Sequence, residues 1–270
     1  MCTPKPLCQC KVCVTARQKG HPYARCGCSL YVHDIAAVID TPEDIAQAIN
    51  NANITAVDAI MYSHWDPDHT LGMRIAEQLR LEWLDVYEDK LPENPVAVYA
   101  TASTMQDINA ISSKFGSFLD YFEHGRKLIT RHVVDAPLIL GGIKITFVPV
   151  APDSGVSVFV FESAGKKLVY APCDCTPFPT HDIFYGADVL LIGDTCFTGA
   201  GKNGRQITQG YAKNAPLHTF EEVRALQAKF SIPRLIITHL EEMYGKTYDD
   251  FCTMQQPGLE FAFDGMEIEL

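Results

Sequence analysis

Four potential metal ligands occur in the six-residue string HWDPDH, which covers His64 to His69. An apolar run over residues 57–63 leads directly into this string, so the pattern predicts a strand that ends in a ligand-rich loop. Because alternate side chains of an extended segment face different ways, such a loop can offer two ligands to one metal ion and two to a second. The competing interpretation is a polar loop in which Asp68 caps the following helix.

Three further side chains favour the metal interpretation, because Asp153, Asp174 and His239 each follow an apolar strand pattern. Proteins built on sheets gather functional groups in the loops at one edge. The sequence therefore predicts a metal centre assembled from several strand ends. Asp40 and Asp194 also end strand patterns. Asp40 is interpreted either as a residue that orients the His64 loop or as the start of a turn, and Asp194 as structural.

The patterns around these residues alternate between short strands and helices. Runs at 29–32 and 36–39 predict a hairpin, Thr41-Pro42 predicts a helix start, and Thr219 with Glu222 predicts a capping box. Helical spacing is found at 71–81 and 103–111, and further strands are predicted at 96–100, 143–150, 156–162, 167–171, 189–192 and 235–238. The mixture predicts an α/β fold of the α+β type, with two sheets flanked by helices as an αββα sandwich.

The composition favours one domain over residues 1–270, with a Cys-rich head at 1–28. The net charge of -11 repels phosphate backbones, which disfavours a long nucleic-acid partner. No apolar run is long enough to cross a bilayer, and the N-terminus lacks the apolar core of a signal peptide. We therefore expect a cytoplasmic protein with no membrane partner and a small-molecule substrate, and the sequence leaves monomer and homodimer open.

Cysteines are concentrated in the head, where six of the ten are found. The spacing Cys8-x-Cys10-x-x-Cys13 lets three thiolates converge on one tetrahedral ion and predicts a structural zinc site. A set of free reduced thiols is the alternative.

The His64 string resembles the signature of the metallo-β-lactamase superfamily, His-x-His-x-Asp-His after a strand. Within that superfamily, the chain is similar to the branch that contains the phosphodiesterase of the bacterial carbon-phosphorus lyase pathway. The similarity includes the cysteine spacing of the head and the Asp40-Thr41-Pro42 strand end, and it runs from Cys8 to about Glu242.

The resemblance implies seven ligands for two divalent ions, which would be zinc, manganese or iron. One ion takes His64, Asp66 and Asp153, the other takes Asp68, His69 and His239, and Asp174 bridges both. Asp66 and Asp153 stand where the family usually has His, so four carboxylates balance the charge of two dications. A neutral centre is a weaker Lewis acid, and its oxygen-rich ligands move the metal preference from zinc toward manganese or iron.

The resemblance also implies hydrolysis of a small phosphodiester by a metal-bridging hydroxide, with Asp68 in the catalytic centre and His218 as proton donor to the leaving group. From its own surroundings, His218 is equally compatible with a surface residue before a capped helix. Two alternatives stay open, namely a thioester or lactone hydrolase of the same fold and a non-catalytic accessory protein that binds metals and a ligand. An RNA-processing nuclease would need a basic surface that this chain lacks.

The resemblance places the fourth ligand of the cysteine site, usually a His, at the position of Glu242. Cys26 and Cys28 are therefore predicted as substitute ligands, with His21 and Cys2 as weaker candidates. Cys173 and Cys175 flank Asp174. Alternation along an extended segment would point both away from the metals, so they are predicted to be structural.

Overall fold

Two β-sheets form the centre of the fold, which a computed structural model describes for residues 2–152 and 154–270. The first sheet contains, in spatial order, Leu30–Val32, Ala37–Ile39, Ala59–Met61, Val96–Ala100 and Ile129–Val133. Its first two strands form the predicted antiparallel hairpin, and the remaining neighbours are parallel. The parallel strands therefore end at one edge of the sheet.

The second sheet combines a parallel half with an antiparallel half. In spatial order its strands are Leu259–Phe261, Arg234–Ile237, Val189–Ile192, Lys166–Ala171, Ser157–Ser163, Ile143–Pro149 and Leu138–Leu140. The first four are mutually parallel, and the others are joined as antiparallel neighbours. Ala164 and Gly165, both with positive φ, form the predicted hairpin turn between two of them.

Ten α-helices connect and cover the strands in the part of the chain that the structure describes. They are Lys11–Lys19, Ile45–Asn51, Pro67–Thr70, Ile75–Arg80, Trp83–Tyr87, Ala102–Asn109, Phe118–Asp120, Gln209–Asn214, Phe220–Lys229 and Tyr248–Cys252. The helix Phe220–Lys229 begins with the predicted capping box of Thr219 and Glu222. Among the described helices, none is both long and apolar enough to span a bilayer.

Alternation along the strands divides the core into layers. Ala37 and Ile39 pack between the two sheets, with Phe159 of the second sheet in the same cluster, whereas Val38 between them faces the opposite way. Val38 packs in a cluster with residues of the helices Ile45–Asn51 and Ala102–Asn109. A third cluster joins the outer face of the second sheet to the helix Phe220–Lys229. The predicted α/β fold with an αββα arrangement is confirmed.

Two predicted helix starts were wrong, because backbone contacts to the ligand-rich loop take priority. Thr41 donates its N–H to the carbonyl of His69 at 2.7 Å and accepts the N–H of Gly72 at 2.8 Å. The chain after residue 40 therefore runs beside the loop, and helix begins only at Ile45. The helix predicted at 71–81 begins at Ile75, after a separate short helix.

Candidate metal centre

The ends of parallel strands bring the candidate ligands together, and four of the residues there adopt a left-handed backbone conformation. They are Asp40, Asp174, Asp194 and His239, with φ between 50° and 62°. Non-glycine residues adopt this conformation at a cost, and it concentrates at functional sites where the surrounding structure holds it. Each of these residues therefore turns its side chain out of the strand that precedes it.

Close packing of the second sheet fixes this edge. The strand ending at Ile192 is followed by Gly193, where an added Cβ would lie 1.8 Å from the carbonyl oxygen of Pro172 and 3.0 Å from the Cβ of His239. Only glycine leaves room for three strand ends to approach this closely.

Among the groups of three side chains at this edge that are spaced to hold a metal ion, two consist only of predicted ligands. In the first, ligand atoms of His64, Asp66 and Asp174 lie within 4.8 Å of one another. In the second, the same is true of Asp68, His69 and His239. The ring centroids of His64 and His69 are 4.2 Å apart, so the two groups are neighbours. The structure thus brings together six of the seven residues that the sequence predicts as ligands, and Asp153 lies outside the described residues.

A buried carboxylate holds the two histidines of the loop in place. Asp40 is completely buried, and its Oδ2 contacts Nδ1 of His69 at 2.9 Å. It also accepts hydrogen bonds from the backbone N–H and the hydroxyl of Ser63, and that hydroxyl contacts Nδ1 of His64 at 2.8 Å. These contacts confirm that Asp40 orients the His64 loop. Such partners fix the ring orientation of metal-binding histidines.

The two histidines of the loop each leave one buried ring nitrogen without a hydrogen-bond partner. Nε2 of His64 and Nε2 of His69 have no hydrogen-bond partner among residues 2–152 and 154–270. Buried polar atoms rarely lack a partner in folded proteins, and a bound ion often satisfies those that find none within the chain. Imidazole nitrogen with nearby carboxylate oxygen is a donor set suited to zinc, iron or manganese. The residues present therefore fit a pair of divalent cations.

The charges of the site also fit cations. Burial and the neighbouring His69 lower the pKa of His64 to about 3, so its ring is neutral and able to bind a metal. Burial and the charge of Asp68 raise the pKa of Asp66, and burial with the charges of Asp194 and Asp66 raises that of Asp174. Divalent cations at this place would relieve the repulsion between these carboxylates.

Asp68 and His218, predicted to take part in catalysis, have different surroundings. Asp68 lies 3.5 Å from Nε2 of His239, and that contact lowers the pKa of the Asp68 carboxyl. His218 is buried, and its Nε2 lies 3.1 Å from the carbonyl oxygen of Cys175. Its backbone N–H donates to the carbonyl of Asp194, which sets it beside the strand end. The role of His218 as a proton donor stays a prediction.

The prediction that Cys173 points away from the centre was wrong. Its Sγ lies within 4.8 Å of a ring nitrogen of His64 and one of His69. Asp194, interpreted from the sequence as structural, forms a further group of possible ligands with Cys173 and Asp174. The left-handed conformation of Asp174 breaks the alternation on which the prediction depended. An Asp after the strand at 189–192 was the available signal for Asp194, and nothing in the spacing marked Cys173.

The cysteine head forms a separate group. The Sγ atoms of Cys8, Cys10 and Cys13 lie within 4.8 Å of one another, at the start of the helix Lys11–Lys19. The backbone N–H of Cys10 and the side chain of Lys202 lower the pKa of Cys8 to about 6. A thiolate of this kind is the form that binds zinc.

Cys26 and Cys28, the predicted substitute ligands, lie elsewhere. Cys28 packs between the two sheets, and its Sγ contacts the hydroxyl of Tyr170 at 3.4 Å. The Cys26 thiol lies beside the carboxylates of Asp264 and Asp44. The structure therefore does not support either cysteine as the fourth ligand. Cys28 lies in the apolar core, and the spacing between cysteines in the sequence does not reveal its burial there.

Glu242 lies next to the cysteine head instead. Its side chain is 2% exposed, and its Oε1 lies 2.9 Å from Nζ of Lys202 and 3.3 Å from Nζ of Lys5. Because Lys202 also contacts the thiol of Cys8, one cation joins the carboxylate to the head. Glu242, the position that the resemblance assigns to a fourth ligand, is thus close to the head. Lysine side chains contact its carboxylate on the side of the head.

Comparison with known families identifies the class. Residues 36–240 match the model of the beta-lactamase superfamily domain, and the chain belongs to this family. This confirms the metallo-β-lactamase superfamily predicted from the His64 string. No curated protein matches the sequence.

Solved structures share the fold along nearly the whole chain. A diphosphatase from the PhnP family is 19% identical with a TM-score of 0.67, covering 98% of this chain and 91% of that one. Zn(2+)-bound PqqB from Methylobacterium extorquens is also 19% identical with a TM-score of 0.70, covering 100% and 96%. Human tRNase Z, short form, is 14% identical with a TM-score of 0.58, covering 89% and 90%. The predicted resemblance to the phosphodiesterase branch is supported at the level of fold.

Proposed function

We propose that this protein is a metal-dependent phosphodiesterase that hydrolyses a small phosphodiester at the strand-end centre. The observation that carries the proposal is the pair of adjacent ligand groups, each with a buried imidazole nitrogen that has no hydrogen-bond partner. When bound, two divalent ions would supply Lewis acidity toward a phosphoryl oxygen and lower the pKa of a bound water. The structural likeness to a diphosphatase supports chemistry at a phosphoryl group over chemistry at an acyl group.

The chain's own residues would do the following work. Asp40 holds His69, and through Ser63 it holds His64, so both rings present Nε2 at fixed positions. His218 would give a proton to the leaving oxygen, with its ring oriented by the carbonyl of Cys175. The net charge of -11 supports a small substrate over long nucleic acid. A structural zinc in the cysteine head, a cytoplasmic location and the choice between monomer and homodimer stay predictions from the sequence.

Hydrolysis of chromogenic substrates tests the proposal directly. Protein loaded with zinc, manganese or iron should cleave bis-para-nitrophenyl phosphate faster than thioester or lactone substrates. His69→Ala should abolish that activity. Preferential cleavage of the thioester or lactone would replace the phosphodiesterase with an acyl hydrolase. A metal-loaded protein inert on every ester would indicate a non-catalytic accessory protein.

Variation of the leaving group tests His218 separately. His218→Ala should slow turnover of diesters with poor leaving groups far more than of activated ones, because only the former need a proton. His181→Ala, at an exposed histidine that caps a neighbouring short helix, is the matched control. Equal losses on both kinds of substrate would contradict the role of proton donor.

A further inference from the structure

Cys173 places a buried thiol inside the candidate metal centre. Its Sγ lies within 4.8 Å of a ring nitrogen of His64 and one of His69, and the same limit holds for carboxylate oxygens of Asp174 and Asp194. The residue is 8% exposed. The thiol can therefore share an ion with the two imidazoles or with the two carboxylates.

The unpartnered imidazole nitrogens provide a second, independent observation. His64 is 1% exposed and His69 is completely buried, and Nε2 of each lacks a hydrogen-bond partner in the described part of the chain. The Nδ1 atoms are already engaged by Ser63 and Asp40. Nε2 is therefore the atom that each ring offers to an ion, and the thiol belongs to the same cluster.

We propose that Cys173 binds the metal pair through its Sγ, so that sulfur joins nitrogen and oxygen in the ligand set. The inference rests on the proposed metal centre and adds a ligand that the sequence pattern does not predict. Sulfur binds divalent ions as the thiolate, so the S–H bond gives up its proton when the metal–sulfur bond forms. Oδ1 of Asp194 already accepts a hydrogen bond from Sγ of Cys173 at 3.2 Å. This carboxylate can therefore take the proton and release it to water.

A sulfur ligand changes the metal that the centre selects. Counting carboxylates alone favours manganese or iron, because hard oxygen ligands suit hard ions. Thiolate is soft and favours zinc or ferrous iron over manganese. Cys173 therefore opposes the effect of Asp66 and Asp174 and directs the centre back toward the softer ions.

The competing role for Cys173 is that of a hydrogen-bond donor to Asp194 only. Serine distinguishes the two roles, because its hydroxyl still donates to a carboxylate but is a much poorer ligand for a soft metal. Cys175 is the matched control. It is buried two residues away, and its Sγ donates to the backbone carbonyl of Cys173 at 2.9 Å.

Cobalt substitution provides the readout, because a thiolate bound to Co²⁺ gives a charge-transfer band in the near ultraviolet. The spectra of wild type, Cys173→Ser and Cys175→Ser are compared after cobalt loading, with metal counted in each sample. All three proteins keep Cys8, Cys10 and Cys13, so the head contributes equally and cancels in the difference spectra. A competition between equal zinc and manganese is run in parallel, with circular dichroism to confirm folding and Cys173→Ala as a second variant.

We expect Cys173→Ser to lose part of the band and to shift bound metal toward manganese by at least about tenfold, whereas Cys175→Ser matches wild type. An unchanged spectrum and unchanged metal preference in Cys173→Ser and Cys173→Ala, at the same cobalt count, would overturn the proposal while leaving the proposed hydrolase intact. A cobalt count that His69→Ala does not reduce would show that the strand-end centre binds no metal. That result would overturn both proposals.

Discussion

The strand-end centre and the cysteine head hold their ligands in different ways. The centre draws side chains from the ends of several strands, such as Asp40, Asp174 and His239, whose backbones are fixed by both sheets. The head takes three thiols from Cys8 to Cys13, a single short segment at the start of a helix. The first is positioned by the whole fold, and the second is positioned by local chain geometry.

The charges around the two regions have opposite signs. Carboxylates surround the histidines of the centre, and Asp40 fixes one of them directly. Cations surround the head, where Lys202 contacts the thiol of Cys8 and Arg17 donates to the Cys8 carbonyl. The centre therefore depends on bound cations to balance its charge, whereas protein cations partly balance the thiolates of the head. Metal loss should abolish chemistry at the centre and loosen structure at the head.

Removing a ligand of the centre should have the largest effect. In His69→Ala, hydrolysis should fall by about a thousandfold or more, since the metal pair contributes several kcal/mol of transition-state stabilisation. The unfolding midpoint should also fall, because the buried Asp40 loses its imidazole partner, so activity is compared at a temperature at which the variant is folded. Steady-state kinetics and thermal unfolding measure the two quantities, with His124→Ala, an exposed histidine, as the control. Normal activity in His69→Ala would remove the distinction between the regions.

Removing the carboxylate that orients the loop should have an intermediate effect. Asp40→Asn keeps the shape but removes the charge that Nδ1 of His69 contacts at 2.9 Å. We expect metal affinity of the centre to fall by about 10- to 100-fold, as is typical for such partners. Titration with a chelating dye measures the affinity, and Asp58→Asn, at a surface ion pair with Arg80, is the control. Equal affinities in the two variants would show that the fold alone positions the imidazoles.

Removing a thiol of the head should act on stability more than on catalysis. Cys13 is completely buried, and Cys13→Ser removes one of the three thiols that are predicted to hold a zinc ion. We expect one metal ion fewer per chain and a fall in the unfolding midpoint on the order of 5 °C, with activity reduced less than about tenfold. Cys252→Ser, at a cysteine outside the group, should change neither quantity. A full loss of activity with the centre still metallated would mean that the head also shapes the active site.

Local sequence patterns predicted helices and strands correctly where no tertiary contact overrides the local preference. The strand Val189–Ile192 and the capping box at Thr219 agree with the sequence, because a short apolar run and a paired cap are local properties. The helix predicted from Thr41 failed for a physical reason. Its backbone bonds to His69 and Gly72 belong to the tertiary structure, and no pattern within the segment reveals them.

The sequence predicted those residues of the centre that a local pattern marks, and it missed those whose position depends on tertiary structure. The string from His64 to His69 shows the ligand-rich loop, and the strand ends show where Asp174 and His239 belong. Cys173 was missed, because alternation fails where the next residue adopts a left-handed conformation. The surroundings of Glu242 were missed for a related reason. They depend on Lys5 and Lys202, which are distant from it in sequence.

The smallest expected effect concerns the ion pairs that Glu242 forms with Lys202 and Lys5 next to the head. Burial raises the pKa of Glu242, but the hydrogen bond from Lys202 and the charge of Lys5 outweigh it, so the net pKa is lowered from the usual 4.5. A carboxyl with a lowered pKa stabilises the fold above its unfolded pKa, and that contribution disappears as the pH falls through the folded pKa.

Glu242→Gln should therefore cost about 1 kcal/mol of unfolding free energy near neutral pH, and the difference from wild type should shrink below about pH 4.5. Urea unfolding of both proteins over a series of pH values measures this difference. Glu88→Gln, at an exposed pair with Lys90, is the control and should show no such dependence. A cost for Glu242→Gln that stays constant down to the lowest pH would contradict the charge argument. It would indicate that the side chain acts by packing, and that protein cations do not balance this side of the head.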